Sequence, residues 1–197
     1  MNAAPRRVGV FGGAFDPPHK AHRALAQAAV EQLRLDELRV LPTGQAWHKD
    51  RALTPAQHRL AMARIAFEGV PGVLIDEREL HRPGATYTID TLRELQAEQP
   101  RAAFFLVMGQ DQAQAFTSWR EWEAIARLAT LCVAQRPQAR HGDALPAQVR
   151  LLPLSLAPMD ESATTIRARL AAGQDIAPLV PAGVASYIAR HHLYEHP

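Results

Sequence analysis

The chain has 197 residues, 47% of them hydrophobic and 21% charged, which is the size and composition of one compact globular domain with a sizeable core. Its formal net charge is only +2 and its basic residues are scattered through the predicted helices, so charge gives no reason to expect a nucleic-acid partner. The apolar stretch after Arg7 breaks at Gly12, and the single cysteine, Cys132, cannot form an intrachain disulfide. We therefore expect no signal peptide, no membrane span and a cytoplasmic location, with Cys132 as a buried core thiol.

Short apolar runs alternate along the chain with longer segments of helical period, and no internal repeat interrupts them. The predicted strands are residues 7–11, 37–41, 73–76, 103–108, 129–134 and 149–152. The predicted helices are residues 22–35, 55–67, 88–98, 121–128, 162–172 and 181–192. This alternation predicts an α/β fold, a Rossmann-like open parallel sheet with helices on both faces, plus a C-terminal helical segment. The loop at 137–146 is too short for an interdomain linker, so we expect one domain over residues 1–197.

The most informative segment follows the first predicted strand, at the end of the sheet where ligands of such folds bind. Gly12 and Gly13 predict a sharp turn and a close approach of the backbone to a ligand. Pro18 suits the first position of a helix, which places His19 and His22 in its first turn, three residues apart on one face. Free N–H groups, the positive end of the helix and two imidazoles together predict a phosphate site without a nucleophile.

The residues of this segment also permit interpretations other than a phosphate site. The glycines can serve a tight turn, the prolines can begin a helix and the histidines can be solvated, while a zinc site would have only two nearby ligands. The chain contains neither a G-x-x-x-x-G-K-[ST] loop nor a G-x-G-x-x-G fingerprint. An ordinary P-loop protein or a dinucleotide-fold dehydrogenase is therefore disfavoured.

A second candidate phosphate site lies at residues 162–167, Ser-Ala-Thr-Thr-Ile-Arg. This segment opens a predicted helix with hydroxyls in its first turn and the guanidinium of Arg167 one turn later, which together can hold an anion. Taken alone, the hexapeptide fits a serine cap on a surface helix with a solvent-facing arginine equally well.

Both segments match patterns of one superfamily. Residues 12–22 closely resemble the G-G-x-F-D-P-x-H-x-G-H signature of the nucleotidyltransferase superfamily, which includes adenylyltransferases of nicotinate mononucleotide and of phosphopantetheine; Ala21 replaces the usual glycine. Residues 161–167 resemble its I-S-S-T-x-I-R element in part, because Glu161 and Ala163 replace the usual Ile and second Ser. The resemblance implies that the catalytic residues are His19, His22 and Arg167. It implies ATP and phosphate contacts from Gly12, Gly13, Phe15, Ser162, Thr164 and Ile166.

Residues in the middle of the chain indicate which nucleotide is the acceptor. Thr88 falls at a predicted helix start, where free N–H groups can hold a carboxylate such as that of nicotinate. Gly109 permits a close approach after a strand, and Asp111 is placed to accept from ribose hydroxyls. Trp119 can stack on a pyridinium ring, although an isolated Trp is more often core or surface filler. Lys49 places a cation beyond a strand end, in a loop that would otherwise be a solvated one.

Together these segments resemble the nicotinate mononucleotide branch of the superfamily. That branch has an S-Y-T-x-D-T-L element, a G-x-D strand end, a following Trp and a P-P-H-K loop, from which Ala46 and Trp47 depart. The ending at 180–194 is also similar, so the resemblance covers nearly the whole chain. It implies a nicotinate mononucleotide site formed by Lys49, Tyr87, Thr88, Gly109, Asp111 and Trp119. Arg136 either stacks on adenine or is solvated in its loop.

The implied reaction is transfer of AMP from ATP to nicotinate mononucleotide in NAD biosynthesis, with Mg²⁺ screening the triphosphate. A phosphopantetheine adenylyltransferase shares both phosphate elements, but Trp119, the Tyr87-Thr88 context and the longer C-terminal helical tail disfavour it. A non-catalytic nucleotide sensor need not keep both histidines, and a zinc-binding module is the third alternative. The expected partners are the two small-molecule substrates, with no nucleic acid and no membrane. The sequence carries no signal of oligomeric state.

Overall fold

The computed structural model describes residues 4–44, 53–135, 145–159 and 161–195, and these contain a six-stranded sheet whose paired strands are all parallel. The strands are β1 (Arg7–Gly13), β2 (Glu37–Pro42), β3 (Val73–Ile75), β4 (Ala103–Gly109), β5 (Ala129–Gln135) and β6 (Leu151–Ser155). Their order across the sheet is β3-β2-β1-β4-β5-β6. The chain therefore starts near the centre, runs to one edge and returns to build the other half, as in a Rossmann-like fold.

At least one helix follows each strand from β1 to β4, and two helices follow β6. The helices are α1 (Lys20–Gln32), α2 (Ala56–Phe67), α3 (Arg78–His81), α4 (Thr88–Glu98), α5 (Gln110–Gln114), α6 (Trp122–Leu128), α7 (Ala163–Ala171) and α8 (Ala182–Arg190), with a 3-10 turn at Phe116–Ser118. None of the described helices is both long enough and apolar enough to cross a membrane.

Helices cover both faces of the sheet, as predicted. Successive side chains of a strand point to opposite faces, so Phe105 and Val107 of β4 join one core whereas Leu106 and Met108 join the other. The first core is completed by α1, α2 and α8, and the second by α4 and α6. Cys132 lies in the first core, free and fully buried, which confirms the prediction of a core thiol.

Every predicted strand and helix is present, with ends displaced by up to three residues. The structure adds α3, α5 and the 3-10 turn, which are too short to show an apolar period. Most of the loop predicted at 137–146 lies outside the described residues.

Two local predictions near the first strand are wrong. Gly12 and Gly13 do not turn the chain, because both continue β1 and pair with Leu41 and Pro42 of β2. Pro18 does not open the helix either, since α1 begins at Lys20. The turn falls after the glycines, in the loop that leads to α1.

The carboxyl ends of the four central strands meet at one edge of the sheet. Gly13 pairs with Pro42, and Gly109 pairs with Ala134, so β1, β2, β4 and β5 end side by side. The loops that enter α1 and α5 leave from this edge, which is where open parallel sheets bind ligands.

Candidate active site

A cavity of about 630 Å³ opens at this edge of the sheet. It gathers the loop before α1 and the starts of α4, α5 and α7. The predicted site residues that line it are Gly12, Gly13, Phe15, His19, His22, Tyr87, Thr88, Gly109, Asp111, Trp119, Ser162 and Arg167. Residues far apart in the sequence thus share one surface.

A second hollow, of about 670 Å³, lies at the opposite end of β1 and β4. It is lined by residues 4–6 and 98–102, and its ionisable side chains, Arg6, Glu98 and Arg101, are all exposed. Exposed, solvated charges of this kind carry no distinctive chemistry, so the cavity at the carboxyl ends is the candidate active site.

His19 is the N-cap residue of α1, and its side chain is almost fully buried, with 6% exposed. Burial lowers the pKa of His19 to about 4, so the ring is neutral at neutral pH. Among the described residues its Nδ1 atom finds no hydrogen-bond partner. A buried polar atom without a partner, facing a cavity, is suited to a ligand group.

His22 lies one turn further, and its ring stacks on that of His19 with 3.7 Å between centroids. The backbone N–H of His19 donates to Nδ1 of His22 at 3.3 Å. Because Nδ1 accepts this bond, the proton of the neutral imidazole lies on Nε2, which is the donor side of the ring. The ring of Phe15 packs edge-on at 5.1 Å and fixes the orientation of His22.

The start of α1 offers fewer free amides than predicted. The first helical N–H, that of Lys20, donates to the carbonyl of Leu179 at 3.0 Å. Ala21 still lines the cavity, so its amide and the two imidazoles are what this helix start presents to a ligand.

The signature loop, residues 14–19, is held in place by distant side chains. Arg59 of α2 is 2% exposed and donates to the carbonyls of Ala14 and Thr43, at 3.0 and 2.7 Å. Arg167 of α7 donates to the carbonyl of Asp16 at 2.8 Å. The anchoring role of Arg59 is not predictable from its local pattern, because nothing there marks a buried arginine.

The backbone around the glycines leaves room for a ligand. A Cβ atom on Gly12 or on Gly109 would meet no other atom within 4 Å, so both glycines face open space at the cavity. The left-handed conformation of this region falls on Phe15, with φ 48°. Phe15 is 1% exposed and packs against Phe67 of α2, which supports its unusual backbone.

The start of α7 is built around Ser162, whose Oγ accepts the N–H of Thr165 at 3.0 Å as an N-cap. Thr164 is exposed and its Oγ1 accepts from Arg167 at 3.1 Å, so it orients the guanidinium that lines the cavity. The structure does not bring Ile166 to the cavity, because its side chain is fully buried in the core. Thr164 itself does not line the cavity either.

The acceptor side of the cavity is formed by the starts of α4 and α5. Thr88 is the first residue of α4, as predicted, with Tyr87 as its N-cap. Asp111 lies exposed in the first turn of α5, after Gly109 at its N-cap. Trp119 is half-buried and packs on the ring of Phe116 at 5.8 Å.

Several cavity residues were missed by sequence reasoning. Arg120 places its guanidinium 4.6 Å from the centre of the Tyr87 ring, which adds a cation to the acceptor side. Thr86 is buried, and its Oγ1 has no hydrogen-bond partner among the described residues. Oε2 of Glu161 is likewise buried and unpartnered within the described part of the chain.

Lys49 and Arg136 lie outside the described residues, as do Ala46 and Trp47.

Glu79 is a buried carboxyl that lines the acceptor side, with 5% exposed. Oγ1 of Thr91 donates to its Oε1 at 2.8 Å. Burial raises the pKa of Glu79 to about 7, so the carboxyl is largely protonated below that pH. Only its position in the folded chain, and no motif, distinguishes it from the surrounding surface glutamates.

We expect the raised pKa of Glu79 to make the free energy of unfolding depend on pH. The stabilisation is fully present below the unfolded pKa of 4.5 and is lost as the pH rises through 7, because the folded state then no longer holds the extra proton. The shift corresponds to at most about 3 kcal/mol. Urea unfolding gives the free energy of unfolding of wild type and of Glu79→Gln. The value for wild type minus that for the variant should fall by up to this amount between pH 4.5 and 8.

The control is Glu31→Gln, since Glu31 is exposed and does not line the cavity. Its difference from wild type should vary little with pH. His19 contributes a pH dependence of the opposite sign below pH 6.5, because its lowered pKa makes stability fall as the pH decreases. This contribution is the same in all three proteins, so it cancels in the differences. A Glu79→Gln difference that stays constant from pH 4.5 to 8 would contradict the assignment.

Proteins of similar sequence identify the family of the chain. Residues 10–169 match the family model described as cytidylyltransferase-like, so the fold and the site define a nucleotidyltransferase. The chain is 53% identical over 195 residues to the protein of Albidiferax ferrireducens named "Probable nicotinate-nucleotide adenylyltransferase", covering 96% of this chain and 98% of the relative. It is 47% identical to the protein of the same name from Methylibium petroleiphilum, covering 100% and 97%. The chain belongs to the nicotinate-nucleotide adenylyltransferase family.

A solved structure shows the same fold at low sequence identity. The Plasmodium falciparum nicotinic acid mononucleotide adenylyltransferase complexed with NaAD aligns with a TM-score of 0.80 over 98% of both chains, at 20% identity. The Rossmann-like arrangement predicted from the strand and helix alternation is thereby confirmed.

Proposed function

We propose that the cavity transfers AMP from ATP to nicotinate mononucleotide, giving nicotinate adenine dinucleotide and pyrophosphate. The observation that carries this proposal is the meeting of three helix starts on one cavity. The starts of α1 and α7 adjoin His19, His22 and Arg167, and the start of α4 lines the same cavity as Trp119. Two of these starts suit the phosphates of ATP, and the third suits the carboxylate of nicotinate.

In this reaction an oxygen of the acceptor's phosphate attacks the α-phosphorus of ATP. One P–O bond forms, the bond to the bridging oxygen of the β-phosphate breaks, and pyrophosphate carries the electron pair away. The attacking phosphate is already ionised at neutral pH, so the protein needs no catalytic base. Positioning and stabilisation of the shifting negative charge then supply most of the rate.

We assign the donors of this step to His19, His22 and Arg167. Nε2–H of His22 and a neutral His19 can donate hydrogen bonds to the phosphates as negative charge moves to the leaving pyrophosphate. Arg167 would hold the β and γ groups together with the starts of α1 and α7. The hydroxyl of Ser162 already caps α7, so its contribution is to order that helix start.

Nucleotidyltransferases typically use divalent metal ions, and we propose that the ion here is Mg²⁺ bound with the triphosphate. Within the described ranges, no group of three or more His, Cys, Asp or Glu residues is placed to hold a metal by itself. This fits Mg²⁺, which keeps several waters and binds through one or two carboxylates plus substrate phosphates. Glu161 is a carboxylate that fits, because it lines the cavity beside α7 and its buried Oε2 has no partner among the described residues. Bound there, Mg²⁺ would neutralise phosphate charge.

On the acceptor side we assign the pyridine ring to Tyr87, Thr88 and Trp119, and a ribose to Asp111 near Gly109. Arg120 adds a positive charge that attracts the acceptor's anionic groups. Phosphate attraction by Lys49, adenine stacking by Arg136, one domain over 1–197 and a cytoplasmic location stay predictions from the sequence.

A pyrophosphate-release assay with ATP and a panel of acceptors tests the proposal. Nicotinate mononucleotide should support release, whereas phosphopantetheine should not. Release with phosphopantetheine alone would assign the chain to the rival adenylyltransferase, and no release with any acceptor would favour a nucleotide sensor.

We expect Trp119→Ala to raise the KM for the acceptor roughly tenfold, the value of a lost stacking contact, while the KM for ATP stays nearly constant. Steady-state kinetics with each substrate varied in turn gives both constants. The matched control is Trp122→Ala, because Trp122 also packs on Phe116, at 6.0 Å, but does not line the cavity. A change confined to the KM for ATP would contradict the assignment of Trp119 to the acceptor pocket.

A further inference from the structure

The segment that follows α8 lies against the signature loop. The Tyr194 hydroxyl donates to Oδ1 of Asp16 at 2.6 Å, although 178 residues separate the two in the chain. Asp16 is only 1% exposed, and its Oδ2 accepts the N–H of Thr54 at 3.3 Å. A buried carboxylate is costly unless it is hydrogen-bonded, so these contacts strongly constrain where Asp16 can lie.

The backbone of this segment adopts an unusual conformation. His192 and Tyr194 have φ values of 51° and 67°, in the left-handed region that residues other than glycine rarely occupy. Such conformations persist only where the surrounding structure over-determines them, and they concentrate at functional sites. Leu193 and Tyr194 pack against the core to which α1 and α2 contribute, and this packing holds the segment whose phenol binds Asp16.

Asp16 in turn connects to two of the proposed catalytic residues. Its carbonyl accepts from Arg167 at 2.8 Å, and it precedes His19 by three residues in the signature loop. A displacement of Asp16 would therefore move the guanidinium and the imidazole relative to each other. Misplacement of a reacting group by about 1 Å can cost a hundredfold in rate.

We propose that Tyr194 is a positioning residue which, through its hydrogen bond to Asp16, sets the placement of His19 relative to Arg167 for adenylyl transfer. The inference rests on the proposed function for its effect on rate. The contact itself is independent of the reaction. Burial and the neighbouring Asp16 carboxylate raise the pKa of the Tyr194 phenol, so it stays a hydrogen-bond donor across any assay pH.

The first test compares Tyr194→Phe with Tyr187→Phe. Tyr187 lies on α8, and its hydroxyl makes a 3.0 Å hydrogen bond with His58 of α2, away from the cavity. Tyr194→Phe removes the hydroxyl that binds Asp16 and Thr54, so its Tm should fall by about 2–4 °C or more. Tyr187→Phe removes one hydrogen bond and should lose about 2–4 °C. Tyr194→Phe should lower kcat by about ten- to a hundredfold with both KM values within about threefold, whereas Tyr187→Phe should leave kcat within about twofold. Equal kcat losses in the two variants would overturn the proposal.

A double-mutant cycle isolates the pathway through Asp16. In an Asp16→Ala background the Tyr194→Phe change should lower kcat by less than about twofold further, because its partner is already absent. Multiplicative losses would show that Tyr194 acts without Asp16 and would overturn the assignment.

Amide hydrogen exchange of the signature loop gives a readout that does not depend on turnover. Exchange in residues 14–19 should be faster in Tyr194→Phe than in both wild type and Tyr187→Phe. Unchanged exchange there would overturn the role of Tyr194, even if the enzyme is active. Faster exchange in a chain that releases no pyrophosphate would instead contradict the proposed function and leave the positioning contact supported.

Discussion

Replacing His19 by alanine is expected to lower kcat by at least about a hundredfold, as loss of a transition-state donor typically does. The ring lies buried at the cap of α1, is neutral at neutral pH, and keeps Nδ1 without a partner in the described part of the chain. The alanine variant therefore loses no hydrogen bond between Nδ1 and the described residues. The loss should fall on kcat, and single-turnover kinetics would assign it to the chemical step.

The control for this variant is His81→Ala, since the His81 side chain is 77% exposed and does not line the cavity. Its kcat should equal that of wild type. Circular dichroism and thermal unfolding should show that His19→Ala keeps its fold. Turnover within about threefold of wild type, or loss of the fold together with loss of activity, would argue against a catalytic role.

Nicotinate mononucleotide is expected to exceed its amide analogue by roughly ten- to a hundredfold in kcat/KM. Thr88 begins α4, and the first amides of a helix have no acceptor within it, so they can donate to a carboxylate. An amide can offer only one oxygen to these donors, and its NH₂ group must face the other. It loses a charge-assisted hydrogen bond worth about 1.5–3 kcal/mol. Equal kcat/KM values at saturating ATP would remove the carboxylate pocket.

Two substitutions at Thr88 separate the backbone from the side chain. Proline is tolerated at the first position of a helix, and the preceding Tyr87 has φ −124° and ψ 137°, which suit a residue before proline. Thr88→Pro should therefore keep α4 while removing one N–H, and the preference for the acid should fall by about tenfold or more. Thr88→Ala keeps that N–H and should weaken the preference only modestly. A larger effect from alanine than from proline would show that the hydroxyl binds the ligand.

The parts of the fold predicted well were those with a local cause. The start of α4 at Thr88 was placed to the residue, because apolar positions three and four apart follow it at once. The turn assigned to Gly12 and Gly13 was wrong, since glycine permits a turn without requiring one and β2 offers both residues a strand partner. The left-handed conformation fell instead on Phe15, where packing and not propensity decides.

The parts of the site that were missed depend on contacts between distant segments. Arg59 is held by backbone carbonyls of the signature loop and of the chain after β2, and no spacing in the sequence reveals them. Glu79 takes its raised pKa from burial, which the sequence around it does not show. Ile166 illustrates the reverse error, because a residue can hold its place in a motif by filling the core.

The separation between Asp16 and its two anchors has a consequence for synthesis on the ribosome. Arg167 and Tyr194 follow Asp16 by 151 and 178 residues, so both are translated long after it. At about 5–20 residues per second, the Asp16 carboxylate waits roughly 10–35 s for the phenol that it binds. A nascent chain that already pairs β1 with β2 therefore still has an unfinished active site. The signature loop therefore completes its contacts only after Tyr194 has left the exit tunnel.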